Sequence, residues 1–237
     1  MNLKNQDTVL ALKTGIVYLE ARNRLINKYE EENCPDLDMF VENARQINED
    51  VGIFKVTEVV SRIRQNLSYR DVGAEIGVSQ TEVGRSIKRL KAARLISEAS
   101  DSDIPYLINI KGLSEWTMAS MQYANKPEPK GIGTGLPTAW SNPLLESEMM
   151  PRDIPHVWEG LNSLAVSTSK SIHPVQGEII SPLYKGEALA ASKSVEMYKL
   201  LSLLDAFRIA KPRELKIARD LFNQYMEKMD VAQQFFS

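Results

Sequence analysis

Residues 68–90 read SYRDVGAEIGVSQTEVGRSIKRL, and this stretch decides the fold. Two hydroxyl residues are each followed three positions later by a carboxylate, Ser68 by Asp71 and Ser79 by Glu82. That spacing marks helix starts whose free N–H groups are capped, so it predicts two short helices. Gly77 falls where the first must stop and the chain must turn in the left-handed conformation that costs glycine least. Val72, Ile76, Val78, Val83, Ile87 and Leu90 then form a shared core, and Gly73 leaves room for a close crossing. Ser86 stands where a third apolar residue is common, with Ile87 able to supply that packing.

The pair resembles a helix-turn-helix. Its geometry places Gln80, Thr81, Gly84, Arg85 and Lys88 on the outer face of the second helix, over about 79–93, where such a helix enters the major groove. Gln80, Thr81, Arg85 and Lys88 are the expected base contacts, because Gln pairs with adenine, Arg with guanine, and Thr meets the thymine methyl. Ser68, Tyr69 and Arg70 at the first helix start, with Ser79, Arg89, Lys91 and Arg94, are the expected phosphate contacts. Charge placement agrees. Between residues 55 and 94 nine basic residues face four acidic ones, a net of +5, whereas 20–50 carries nine acidic against four basic, a net of -5. A whole-chain charge of -2 thus hides a basic block. Solvated helix faces are the plainer reading of these runs taken alone.

After the second helix, Leu95-Ile96-Ser97-Glu98 and Tyr106-Leu107-Ile108-Asn109-Ile110 flank a turn-rich Ser100-Asp101-Ser102-Asp103, the pattern of a short hairpin. Together with Val78-Ser79-Gln80-Thr81-Glu82-Val83 and Leu90-Lys91-Ala92-Ala93-Arg94-Leu95-Ile96, this makes the region similar to the winged helix-turn-helix of MarR-like bacterial regulators. The resemblance covers at best residues 55–110 and implies a sequence-specific transcriptional regulator, of repressor or antitoxin type. Its wing tip here is acidic, so the wing is expected not to touch the DNA backbone. Reading a palindrome takes two copies about 34 Å apart, so a homodimer is expected, paired through the first helix or through residues 193–229.

Working outward, Asp7–Leu19 carries an apolar stripe at helical spacing with Glu20–Glu31 as its candidate continuation, 38–48 reads as a short acidic helix, and Val56, Val59, Val60, Ile63 and Leu67 mark another. Leu113–Ala124 is expected to be helical. Eight of the eleven prolines lie between 126 and 192, which predicts mostly irregular, extended chain, anchored by Trp140 and Trp158. Residues 193–209 and 213–229 read as two amphipathic helices broken at Lys211-Pro212, forming a hairpin. The expected class is mainly α. Its parts are a winged helix-turn-helix domain over 1–125 with an acidic helical insertion at about 20–50, a proline-rich irregular segment over 126–192, and a helical region over 193–237.

Composition narrows the chemistry. Two histidines, His156 and His173, and one cysteine, Cys34, cannot assemble the usual Cys and His zinc set, and no internal disulfide can form. Both histidines, each beside a proline, read as loop residues. Gly131-Ile132-Gly133-Thr134-Gly135 lacks the preceding strand and following helix of a phosphate-cradling loop, and reads as a linker. Trp116, Trp140 and Trp158 read as core. No catalytic residue, metal or cofactor is expected, so the chain reads as a binding protein and not an enzyme. A charged start and the lack of a long apolar run predict no signal peptide, no membrane partner and a cytoplasmic location. The expected partners are double-stranded DNA, a second copy, and a toxin or defence component. The alternative is a protein-interaction scaffold in which the helix pair does not read DNA.

Overall fold

The computed structural model describes residues 2–31, 52–99, 104–145, 149, 154–159, 172–209 and 211–237, and these are mainly helical, with eight α-helices and five short strands. The first helix, α1 (Asn5–Glu31), continues well past Leu19. Every residue from Asp7 to Val17 is buried, so α1 is a central strut and not an amphipathic surface helix. Helix α2 (Gly52–Asn66) packs against it through Val60 and Ile63. The acidic helix expected at 38–48, and Cys34, lie outside the described residues.

Next come α3 (Tyr69–Ile76), α4 (Gln80–Ala92) and an antiparallel hairpin, β1 (Ile96–Glu98) and β2 (Tyr106–Ile108), with Ile96 opposite Ile108. The open edge of β2 is closed by a side chain: the carboxamide of Gln233 accepts from the Ile108 N–H at 2.6 Å and donates to its carbonyl at 3.2 Å. A buried backbone pair that lacks a third strand is thereby satisfied. Tyr18 of α1 donates to the Tyr106 carbonyl at 2.6 Å, tying the strut to the same hairpin.

Helix α5 (Ile110–Ala124) leads into the proline-rich stretch, where the structure corrects the expectation of irregular chain. Strands β3 (Pro129–Thr138), β4 (His156–Glu159) and β5 (Val175–Ile180) form a small closed sheet in which β3 runs antiparallel to both others and β4 runs parallel to β5. Residues 131–135 are therefore strand, neither linker nor phosphate loop. The closure needs small residues, since a Cβ on Gly135 would lie 2.1 Å from the Trp158 carbonyl oxygen. Trp140 and Trp158 are buried as expected, whereas Trp116 is 38% exposed.

The remaining helices are α6 (Glu187–Lys193), α7 (Val195–Ile209) and α8 (Pro212–Phe236). Ser194 splits α6 from α7 by capping Met197 N–H, and Pro212 opens α8 at the position where a missing N–H costs nothing. Helix α7 is buried on all sides and carries a polar centre. Asp205 accepts from Thr138 Oγ1 at 2.9 Å, Trp158 Nε1 at 2.5 Å and Arg208 Nη1 at 2.6 Å. Arg208 also donates to the Asn125 and Ser181 carbonyls. These bonds join α5, the small sheet and α7 around a buried ion pair in which the Asp205 carboxylate is met by three donors, as burial of charge demands.

Candidate nucleic-acid interface

The pair α3 and α4 is built as the sequence predicts. Ser68 accepts from Asp71 N–H at 3.1 Å, and Ser79 accepts from Glu82 N–H at 3.3 Å. Gly77 adopts φ 68°, ψ 34°, and its N–H reaches the Gly73 carbonyl. Val72, Ile76, Val83, Ile87 and Leu90 are all buried. Ser86 is buried too, and its hydroxyl is met by Arg89 Nη2 at 3.1 Å, which explains a polar residue at that place. The turn is held from outside by the segment entering α6: Tyr184 donates to the Ile76 carbonyl at 2.8 Å, and Gly186 lies flat against Gly77.

On the opposite side of α4, Gln80, Thr81, Arg85 and Lys88 are all exposed. They form one polar, basic strip. Gly84 lies between them under the Tyr69 ring, which a Cβ there would meet at 3.3 Å. Tyr69, 38% exposed, is thus a packing residue that keeps an open edge.

Several expected phosphate contacts are already engaged. Arg89 grips Asp7 through two bonds of 2.7 Å and Glu82 through one of 2.8 Å, and Asp7 has no exposure at all. Its guanidinium neutralises a buried carboxylate and is removed from the set. Lys91 forms a close ion pair with Glu98 and sits 5.6 Å above the Tyr106 ring. Ser68 donates its hydroxyl hydrogen to Asp71 Oδ2 at 2.8 Å, so it has no donor left. Arg70, Ser79 and Arg94 remain exposed. Arg94 is held in the left-handed region at φ 58°, with its carbonyl accepting from Asn109, which fixes where its side chain leaves the backbone. The acidic hairpin tip, 100–103, lies outside the described residues.

Glu82, a helix cap by its place in the sequence, organises the site. Its carboxylate accepts from Arg89, Lys4, Gln6 and, at 3.4 Å, Arg85. Hydrogen bonds from Arg89 first, then Lys4, pull its pKa down to about 2. The start of α1 therefore lies beside the strip, a neighbourhood that no local pattern announces because the partners are 76 to 82 residues apart. His156, expected in a loop, is buried at the start of β4, 3.4 Å from Glu178, whereas His173 is exposed. Among the described residues no group of three or more His, Cys, Asp or Glu is arranged to hold a metal, and no helix is long and apolar enough to cross a membrane.

Comparison with protein-family models, with curated proteins and with solved structures finds no match.

Proposed function

We propose that this chain is a winged helix-turn-helix protein that binds duplex DNA and acts as a sequence-specific transcriptional regulator, most simply a repressor, without catalysis of its own. One observation carries the reading. A capped helix pair with a left-handed glycine turn buries one side of α4 and leaves Gln80, Thr81, Arg85 and Lys88 in solvent on the other, followed at once by an antiparallel hairpin. Those four side chains would read base edges, Arg85 pairing with guanine through two parallel hydrogen bonds. Arg70, Ser79 and Arg94 would meet phosphate.

A homodimer on a palindromic site belongs to the proposal, because one short helix reads too few base pairs. Of the surfaces expected to pair, α1 is buried along its apolar length and α7 is enclosed within the chain, so within 193–229 the pairing falls to α8, which keeps exposed positions such as Val231. A toxin or defence component as partner remains part of the proposal on the strength of the family resemblance alone, and a cytoplasmic location on the strength of the sequence pattern alone.

Selection of bound duplexes from a random pool tests the reading. The parent is expected to enrich a palindrome, and Arg85→Ala to lose preference at one guanine per half-site, at a cost of roughly 1 to 3 kcal/mol. Arg85 is 66% exposed with one long contact to Glu82, so folding is expected to be unaffected. No enrichment by the parent would leave the interaction-scaffold reading in its place.

A further inference from the structure

Away from α4, a cavity of about 350 Å³ opens between the end of α5, the small sheet and the end of α7. Such a volume lies in the range of small-molecule sites. Arg208 lines it, with a side chain only 5% exposed. A guanidinium has five donors. Nε is spent on the Asn125 carbonyl, and both hydrogens of Nη1 are spent on the Ser181 carbonyl and Asp205. The two hydrogens of Nη2 meet no acceptor among the described residues. A largely buried cation with three of its five donors met by the chain and Nη2 left to the solvent of the cavity offers a charged place where an acceptor can replace water.

The other charges sort by depth. Arg208 lies at the floor, while Lys126, Glu128 and Glu178 are exposed at the mouth. Glu178, half-exposed, is steadied by His156 Nε2 at 3.4 Å. Two carboxylates at the mouth disfavour a simple anion, and the donors at the floor disfavour a simple amine. A zwitterion answers both, with its carboxylate inward on Arg208 Nη2 and its ammonium outward between Glu128 and Glu178. The walls left over are apolar: Pro127, Ile179 and Ile209. We propose that this cavity binds a free α-amino acid with an apolar side chain. The proposal is independent of DNA binding.

Isothermal titration of the full chain tests it with four probes: L-leucine, 4-methylpentanoate, which lacks the ammonium, 3-methylbutylamine, which lacks the carboxylate, and glycine, which lacks the side chain. Leucine is expected to saturate and to bind more tightly than each of the other three. Glu128→Gln and Glu178→Gln are each expected to weaken leucine by roughly two- to fivefold, as an exposed ion pair would, and to leave 4-methylpentanoate unweakened. Arg208→Lys is expected to weaken leucine and 4-methylpentanoate by roughly tenfold or more, the loss of a charged hydrogen bond. Should that variant fail to fold, the probe series on the parent decides. No saturation by millimolar leucine, or equal binding of leucine and either truncated probe, overturns the proposal.

Discussion

Replacing Arg89 with alanine separates the structural role found here from the phosphate contact that its place on α4 suggests. Asp7 is wholly buried, and Arg89 supplies its only charged partner among the described residues, through two bonds of 2.7 Å. Removing one member of a buried ion pair costs about 3 to 5 kcal/mol, chiefly because the other charge is stranded. Asp7 Oδ2 keeps the Lys4 backbone N–H at 2.9 Å, which places the expected loss near the lower end, about 3 kcal/mol. In a chain of this length that lowers Tm by about 6 to 12 °C. Urea unfolding followed by circular dichroism measures it. Adding Asp7→Asn to the Arg89→Ala background removes the stranded charge and is expected to recover part of the loss. A loss below about 1 kcal/mol, together with weaker duplex binding and a shallower salt slope, would return Arg89 to the phosphate contacts and refute the buried-pair account.

Two pH dependences follow from the carboxylates. Glu82, held down to about 2 by Arg89 and Lys4, is ionised in the folded chain well below its ordinary value of 4.5. The stability it contributes is complete above that ordinary value and is lost as pH falls from there toward 2, so Glu82→Gln is expected to lessen acid sensitivity in that window, read as the urea midpoint against pH. Glu187 has the opposite sign. Burial first, and Asp205 second, raise its pKa well above the ordinary value, and among the described residues its Oε1 has no hydrogen-bond partner while Oε2 accepts from Leu183 N–H. The folded state then holds a proton that the unfolded state has released, and stability falls as pH rises above about 4.5. Glu187→Gln is expected to flatten that fall; an unchanged pH profile between about pH 5 and 8 would remove Glu187 from the account.

What could be read in the sequence was what is local. The caps Ser68 and Ser79, the turn at Gly77 and the five buried apolar residues of α3 and α4 all lie within 23 consecutive positions, and each stands as read. The hold of Asp7 on Arg89 is not legible in the sequence, because the two lie 82 positions apart. The Lys91–Glu98 and Ser68–Asp71 contacts are hidden for a different reason: a charge or hydroxyl on a helix looks free until the side chain beside it is placed.

The small sheet had a faint signal. Pro129, Gly131, Gly133, Gly135 and Pro137 alternate at every second position, the strand period, but small residues and prolines mask it because strand patterns are usually read from bulky ones. The enclosed α7 also left a trace, two charges three residues apart, Asp205 and Arg208, inside the apolar run Leu200-Leu201-Ser202-Leu203-Leu204-Asp205-Ala206-Phe207-Arg208-Ile209. Opposite charges at that helical spacing within a buried stretch announce a paired, functional or structural ion pair. Its partners Thr138 and Trp158 could come only from the fold.

The claim that the exposed strip of α4 meets DNA is tested most directly by fluorescence anisotropy of a labelled duplex titrated with the full chain across a series of salt concentrations. The account predicts affinity falling with salt at a log–log slope of about -0.9 per phosphate contact, reduced by about one unit in Arg70→Ala and in Arg94→Ala, and left unchanged in slope but weakened for the selected site in Arg85→Ala. Binding that does not respond to salt, or no binding of any duplex by the parent at micromolar protein and low salt, would contradict it.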